Sequence, residues 1–415
     1  IVFSAPFRRL ANKTQVQPLY ENDHVHHRLI HSIEVSSIGR SLAMKVGHWL
    51  AETGEIDAER VHDLADIVQA ACVAHDIGNP PFGHSGEKAM GAWFAKLFAG
   101  GSPLTEGLPA GVRPEFEAFE GNAQGFRIVT RLEMYRREGG MRLSAATLGA
   151  FTKYPVTAAD LATLGRAESP PYIGLKKFGL FRSDLPQFQE ISRTLGLPEV
   201  RLGEARFWRR HPLVFLVEAA DDITYNIVDL EDAFTTGELP FEAVEGLLKK
   251  VAQAPAASTA GMTGAEQIAY LRARSIGSAI DACVSAFIGH YGEILRGTFS
   301  DDLIGASDFA GVFAEIQDLA QNRIFPAPRK TELEISGRRI IDNVMTGLLP
   351  VYEDLARRDW KPEALPAHAR QLVRALSLDL RDVSDAESAL HALADFTSGM
   401  TDRYALRISR MLSGT

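Results

Sequence analysis

The chain has 415 residues and a formal net charge of −9, which argues against a protein that wraps nucleic acid over its whole surface. With 46% hydrophobic and 23% charged residues, it can bury a sizeable core, which excludes long disordered spans. The absence of any run of 18 apolar residues predicts no membrane contact. Two cysteines, Cys72 and Cys283, are too few for a disulfide framework, so a cytoplasmic protein is expected.

The first two predicted helices lead into a turn rich in glycine and proline. Apolar residues recur at helical spacing over residues 25–50, and Thr53-Gly54 ends that pattern. Asp57 is the predicted N-cap of the second helix. The second helix ends at residues 75–78, because Pro80-Pro81 cannot continue it.

The later elements predict an all-α fold. The sequence predicts a helix near 85–98, a surface loop at 100–115, helix again at 116–138, an irregular insertion at 150–205, and a strongly periodic helix over 212–234. The expected organisation is a helical core at 1–235, which contains a loop-rich insertion at about 100–205. A C-terminal helical region at 236–415 packs on this core.

A candidate metal site begins with the adjacent His75 and Asp76, whose side chains can both approach one ion at a helix end. Imidazole together with carboxylate suits a first-row divalent cation. Two ligands are too few, so His31 of the first helix and Asp221 of the 212–234 helix are the candidates for completing the set. The residues alone leave a second interpretation open, in which these histidines are only solvated or hydrogen-bonded.

His84 and Glu87 form a candidate acid–base pair, because side chains three residues apart are neighbours at the start of a helix. The carboxylate can orient the imidazole, which can exchange a proton near neutral pH. The alternative interpretation is a capping interaction at the helix N-terminus.

The 212–234 helix presents Asp221, Tyr225 and Asp229 at positions i, i+4 and i+8, in a row about 12 Å long. The row suits a ligand with phosphate at one end and a hydroxylated sugar at the other. The alternative is a solvent-exposed acidic face.

Positive charge for phosphate is available in three places. Arg28 precedes His31 by three residues, and Lys153 and Lys177 lie in the insertion, where loops can reach back over a site. The sequence contains no GxxxxGK[ST] loop, which argues against a P-loop nucleotide hydrolase.

Taken together, these residues resemble the HD-domain metal phosphohydrolases and, within them, the dGTPase family of deoxynucleoside triphosphate triphosphohydrolases. The resemblance spans nearly the whole chain, and the matching segments are residues 7–10, 13–16, 28–35, 75–87, 119–124, 218–223 with Asp229, and 399–404.

The resemblance implies hydrolysis of a dNTP, with dGTP as the expected substrate, to a deoxynucleoside and inorganic triphosphate. It implies an HD-domain helical core in which Mn²⁺ or Mg²⁺ is bound by His31, His75, Asp76 and Asp221. His84 and Glu87 would be catalytic, and the implied substrate-binding residues are Gln15, Arg28, Lys153, Lys177, Tyr225, Asp229 and Arg403. Of these, Gln15 and Asp229 would bind the deoxyribose 3′-hydroxyl, and Arg403 would reach the triphosphate, in its own or a neighbouring subunit.

The resemblance also implies a homo-oligomer, commonly a hexamer, and a nucleotide or single-stranded DNA effector. Two other functions stay open from the sequence. One is a different HD-domain nucleotidase or phosphodiesterase, and the other is a nucleotide- or DNA-sensing HD module without turnover.

Overall fold

Helices supply nearly all the regular structure, as seen in a computed structural model that describes residues 1–13, 27–109, 111–136, 138–165, 172–253, 255, 259–324 and 328–414. The all-α prediction is confirmed. No helix in these ranges combines the length and apolar character that crossing a membrane requires. The α-helices are α1 Ala5–Arg9, α2 Arg28–Glu52, α3 Val61–Ala74, α4 Gly83–Gly100, α5 Val112–Glu117, α6 Gly121–Arg127, α7 Ala145–Phe151, α8 Ala158–Leu164, α9 Leu185–Leu195, α10 Val214–Thr235, α11 Phe241–Ala252, α12 Gly264–Gly289, α13 Tyr291–Arg296, α14 Ala310–Leu319, α15 Pro328–Ala356, α16 Ala367–Leu376, α17 Ala386–Ser398 and α18 Asp402–Ser413.

The helices α2, α3, α10 and α12 pack together and form the frame of the molecule. Helices α2 and α3 approach closely at Gly39, where an added Cβ would lie 2.4 Å from Sγ of Cys72. Only glycine allows this approach, since real Cβ atoms do not come so near another side chain. Cys72 is fully buried, as expected for a core thiol.

The ends of α2 and α3 follow the predicted signals with one difference. Thr53 is the C-cap of α2, and Gly54 has the left-handed φ of +78° that favours glycine there. Asp57 does not cap α3 directly. It precedes a 3₁₀ turn, Ala58–Arg60, which leads into α3.

Two sequence predictions for the middle of the chain are corrected by the structure. The helix expected over 116–138 is broken into the end of α5, then α6, then a π-helix at Ile128–Leu132. The region expected to be irregular contains α8 and α9. Helix α9 is amphipathic, with buried Leu185, Phe188 and Ile191, and it ends at Gly196 in the left-handed conformation.

The same region carries a β-hairpin that the sequence did not predict. Strands β1 Glu199–Leu202 and β2 Ala205–Trp208 pair antiparallel. Each strand has only four residues, too few for a period-two pattern to stand out. Phe207 and Trp208 are buried, so the hairpin is fixed by packing against the rest of the chain.

The core consists of two hydrophobic clusters. The first is built mainly on α2, α3, α10, α11 and α12, and the second on α4, α15, α17 and α18. The first cluster extends to Ala320 and therefore crosses residue 235. The division at residue 235 stays a prediction. The site described next lies where α2, α3 and α10 meet.

Candidate functional site

His31 and Asp221 meet across the packed helices α2 and α10. The distance from His31 Nε2 to Asp221 Oδ1 is 3.0 Å, and the imidazole is 6% exposed. A buried imidazole requires a polar partner, and Asp221 supplies it at the point where the two helices face each other.

His75 follows the last residue of α3, and its tautomer is fixed by its backbone neighbour. Its Nδ1 lies 2.7 Å from the carbonyl oxygen of Cys72, which can only accept, so Nδ1 carries the proton. Nε2 makes no hydrogen bond among the described residues, although it lies 3.4 Å from Asp221 Oδ1 and 3.6 Å from Asp76 Oδ1. A ring held in this way presents its second nitrogen for a cation.

Asp221 is the common neighbour of both histidines and of Lys153. The Lys153 ammonium donates to Asp221 Oδ2 at 2.7 Å. Burial alone would raise the pKa of Asp221, but the Lys153 charge and the two imidazoles lower it well below its usual value. The carboxylate is therefore ionised and available to a cation.

Asp76 is held by two donors. Its Oδ1 accepts from Nη1 of Arg28 at 2.8 Å and from the side-chain amide of Asn79. Burial would raise the pKa of Asp76, but Arg28, His75 and His31 lower it to about 2. Its Oδ2 is buried without a hydrogen-bond partner in the described chain, so one ionised oxygen remains for a further ligand.

This donor set fits a divalent metal ion. One ligand atom from each of His31, His75 and Asp221 lies within 4.8 Å of the others. Asp76 lies outside that group, but its Oδ1 is near His75 Nε2. Two imidazoles, two carboxylates and two buried atoms without partners match the ligands that a first-row cation prefers.

The turn after His75 brings α4 to the site. Phe82 has φ +65°, and Gly83 has φ +56°. A Cβ at Gly83 would lie 2.7 Å from a guanidinium nitrogen of Arg28, so glycine allows both the turn and the close approach. The backbone N–H of Phe82 donates to Asp402 at the start of α18, which ties the turn to the C-terminal region.

His84 and Glu87 lie near the start of α4, and their side chains interact, as expected for residues three positions apart. His84 Nδ1 is 2.9 Å from Glu87 Oε2, and Glu87 Oε1 accepts the backbone N–H of Gly121 at 2.9 Å. Burial would raise the pKa of Glu87, but the interaction with His84 lowers it. Because the His84 side chain is 76% exposed while Glu87 is 9% exposed, a fixed carboxylate orients an accessible imidazole.

Lys177 lies beside this pair and contacts Glu120. Its Nζ is 2.9 Å from Glu120 Oε2, and its charge also lowers the pKa of Glu87. Burial, followed by the nearby Glu87, raises the pKa of Glu120. The insertion therefore places Lys177 near Glu87 and in an ion pair with Glu120, a partner that the sequence did not indicate. Its predicted role in phosphate binding stays a prediction.

Tyr225 and Asp229 continue the row that Asp221 begins on α10. Asp229 is 8% exposed and Tyr225 is partly buried. Burial, followed by Asp229 and Asp221, raises the pKa of the Tyr225 phenol. The row is not a solvent-exposed acidic face, which was the alternative interpretation.

Two predicted substrate residues cannot be placed beside this cluster. Gln15 lies outside the described residues. Arg403 is exposed in the first turn of α18, next to Asp402. Their roles stay predictions, as do those of Arg28 and Lys153, which contact the candidate ligands Asp76 and Asp221 respectively.

Lys13 and Asn79 support the site, and sequence reasoning assigned neither of them a role. The buried Lys13 ammonium donates to the carbonyl oxygens of Asn79 and Ser398, at 2.5 and 2.8 Å. Both residues lie in segments that carry the family resemblance. Their position in those segments was the only sign in the sequence that they support the site. Their contacts depend on chain segments far apart in sequence.

Comparison with known proteins gives a family for this arrangement. A family model described as "HD domain" matches residues 28–108. The match includes His31, His75, Asp76, His84 and Glu87, and it ends before Asp221. The last of the four candidate ligands therefore comes from outside the matched segment.

Curated relatives match the chain over its full length. A "Deoxyguanosinetriphosphate triphosphohydrolase-like protein" of Synechocystis sp. is 38% identical, over 100% of this chain and 92% of its own. A protein of the same name from Pseudomonas aeruginosa is also 38% identical, over 100% and 91%. A "Deoxyguanosinetriphosphate triphosphohydrolase" of Yersinia pestis is 30% identical, over 98% and 90%.

Proposed function

The chain belongs to the deoxyguanosinetriphosphate triphosphohydrolase family and is a hydrolase, and from that premise we propose that it hydrolyses a deoxynucleoside triphosphate to the deoxynucleoside and inorganic triphosphate. We propose dGTP as the substrate and Mn²⁺ or Mg²⁺ as the cofactor. One observation carries the proposal: ligand atoms of His31, His75 and Asp221, from three different parts of the chain, lie within 4.8 Å of one another.

In this function His31, His75, Asp76 and Asp221 hold the ion. A bound divalent ion supplies Lewis acidity toward a phosphoryl oxygen and lowers the pKa of water. The residues of the chain perform the remaining tasks. Asn79 and Arg28 fix the Asp76 carboxylate.

His84 performs the proton transfer at the α-phosphate. The oxygen of water forms a bond to the α-phosphorus, the bond to the 5′-oxygen breaks, and the 5′-oxygen leaves with a proton. His84 either donates that proton or relays one from the water. Glu87 holds the Nδ1 side of the ring, so Nε2 is the nitrogen that exchanges the proton.

Cationic side chains near the cluster provide charge for the triphosphate. Lys153 pairs with Asp221, and Lys177 pairs with Glu120 and lies close enough to Glu87 to lower its pKa. Each now contacts a carboxylate, and a bound phosphate would compete for the same ammonium. Tyr225 and Asp229 are proposed to contact the sugar together with Gln15, and Arg403 to contact the triphosphate.

A product assay tests the proposal. The protein is incubated with each of the four dNTPs and with Mn²⁺ or Mg²⁺, and the products are separated by ion exchange. Inorganic triphosphate in equal amount to deoxynucleoside is expected, with dGTP the fastest substrate. Orthophosphate released from dAMP or dGMP would instead indicate a nucleotidase, and tight binding without turnover would indicate a sensing module.

The homo-oligomer, with a hexamer as the expected form, and the nucleotide or single-stranded DNA effector stay proposals drawn from the family. Sedimentation of the purified protein, with and without dNTP and oligonucleotide, tests both. Arg403 is an exposed candidate for contact with a neighbouring subunit.

A further inference from the structure

A second group of imidazole and carboxylate side chains lies away from the HD residues, on one face of α17. Glu387 and His391 are separated by four residues and therefore project from the same side of the helix. Glu115 of α5 packs against them. Ligand atoms of these three residues lie within 4.8 Å of one another.

The geometry of this group suits shared coordination. Glu115 Oε1 lies 3.4 Å from His391 Nε2. Two atoms that each lie about 2.0–2.1 Å from one tetrahedral ion are about 3.3 Å apart. The other oxygen of Glu115 accepts the backbone N–H of Arg182 at 2.8 Å, so the carboxylate is already oriented.

Glu115 Oε1, the oxygen that faces His391 Nε2, is buried without a hydrogen bond in the described chain. His391 Nε2 also lies 3.5 Å from Ser183 Oγ. The side chains of Glu115 and His391 are 1% and 2% exposed, and the imidazole lies between the rings of Phe116 and Phe181. A carboxylate oxygen buried this deeply requires a positive partner.

The neighbouring arginines do not supply that partner. Arg127 pairs with Asp395 and Asp184, and Arg131 also contacts Asp184. The Arg182 side chain pairs with Glu387. Within the described part of the chain, these three guanidinium groups pair with Asp184, Asp395 and Glu387, and none of them forms an ion pair with the Glu115 carboxylate.

We propose that Glu115, Glu387 and His391 bind a second divalent cation, with Zn²⁺ as the preferred ion because one imidazole and two carboxylates suit it. The ion fastens α17 to α5 and to the turn at Arg182. Because the group shares no residue with the candidate HD site and two of its three side chains are buried, its role is structural and it takes no part in phosphate chemistry.

Metal stoichiometry tests the proposal. The full chain is stripped with chelator, reloaded with Zn²⁺, freed of excess ion, and measured by mass spectrometry of the metal. Two ions per wild-type chain are expected. Asp221→Asn should retain one ion, held at the second site, while Glu115→Gln and His391→Gln should also retain one, held at the HD residues.

The variants also separate the two sites. Glu115→Gln keeps the shape of the side chain and an acceptor for the N–H of Arg182. If it fails to fold by circular dichroism, Glu387→Gln, at the more exposed edge of the group, takes its place and should also lose one ion. In the Asp221→Asn background, adding either change should reduce bound Zn²⁺ from one ion to none.

A proton is the competing occupant, because burial raises the pKa of Glu115 to about 8. In that case the wild-type chain binds one ion, and Glu115→Gln does not alter the number. That result would overturn the proposal. A second bound Zn²⁺ that none of the three substitutions removes would overturn it as well.

Discussion

The two imidazole–carboxylate clusters of this chain have similar donors and differ in how far each is enclosed. In the HD cluster, Asp221 has a 23% exposed side chain and lies beside Lys153, while the other three side chains are 6–7% exposed. In the α17 cluster, Glu115 and His391 are 1% and 2% exposed, and Glu387 is 16% exposed. A catalytic metal site needs a position open to a reactant. We therefore place the proposed reaction at the HD cluster, where Asp221 is partly exposed.

The largest expected effect comes from Asp221→Asn, which keeps the size of the side chain and removes its charge. We expect the HD ion to be lost and triphosphate release from dGTP to fall by at least about 10³-fold, since a catalytic metal is worth several kcal/mol. Metal content and product release are measured on the same sample.

Glu387→Gln is the matched control, because it makes the same change of carboxylate to amide in the α17 cluster. It should leave turnover near the wild-type rate. If Asp221→Asn and Glu387→Gln lost turnover to the same extent, the two clusters could not be assigned different roles.

His84→Ala should lower kcat by about 10²–10⁴-fold, the usual contribution of a positioned acid or base, while the HD ion stays bound. The chain offers a control of the same geometry. His290 Nδ1 lies 3.1 Å from Glu293 Oε2, also at i and i+3, on an exposed surface. His290→Ala should keep full activity, and a His84→Ala protein with unchanged kcat would remove His84 from the mechanism.

Asn79→Ala should weaken metal affinity or activity by about 10–100-fold, the typical loss when a residue that orients a ligand is removed. Its amide holds the Asp76 carboxylate. Titration of the stripped protein with Mn²⁺ measures the change. Asn343→Ala serves as the control, because that amide donates to Ser409 and Ser413, and a similar loss there would point to general instability.

The smallest expected effect concerns pH and Lys13. Burial, followed by the nearby Arg9, lowers the pKa of Lys13 to about 7; Arg28 acts in the same direction, while Asp402 and Asp76 oppose it. Between pH 7 and the ordinary value of 10.5, the unfolded chain binds a proton that the folded protein does not. The free energy of unfolding contributed by this lysine therefore rises with pH across that interval.

Urea unfolding at pH 7 and pH 9.5 measures this slope. Relative to Lys13→Met, the wild-type protein should gain stability as the pH rises. Lys249, which is 40% exposed and pairs with Glu245, gives the control, since Lys249→Met should follow the wild-type pH dependence. If the free energy of unfolding changed with pH to the same extent in the wild type and in Lys13→Met, the lowered pKa of Lys13 would be contradicted.

The residues of the candidate HD site could be selected from the sequence because they lie on or next to long helices. A period of 3.6 residues identifies α2 and α10 and shows that His31 and Asp221 lie within apolar surroundings. The Gly/Pro turn after His75 marks the end of α3. Each of the four candidate residues lies on or beside a helix that the sequence pattern predicts. The resemblance was needed only to indicate that these helices meet at one site.

The α17 cluster could not be predicted in that way. Glu115 belongs to a helix of six residues, and its neighbour Arg182 belongs to a 3₁₀ turn. The short β-hairpin was missed for the same reason. Such elements are fixed by tertiary contacts rather than local pattern, so the meeting of Glu115 with His391 became visible only in the folded chain.

Segments near residue 13 and near residue 400 meet at the turn that follows His75. Lys13 joins the carbonyl of Asn79 to that of Ser398, and Asp402 receives the N–H of Phe82. A ribosome-bound chain that has not yet released residues 398–402 therefore lacks two of the supports of this turn. A stop codon placed shortly before residue 398 would remove part of the scaffold of the candidate site, even though all four candidate metal ligands and His84 had already been synthesised.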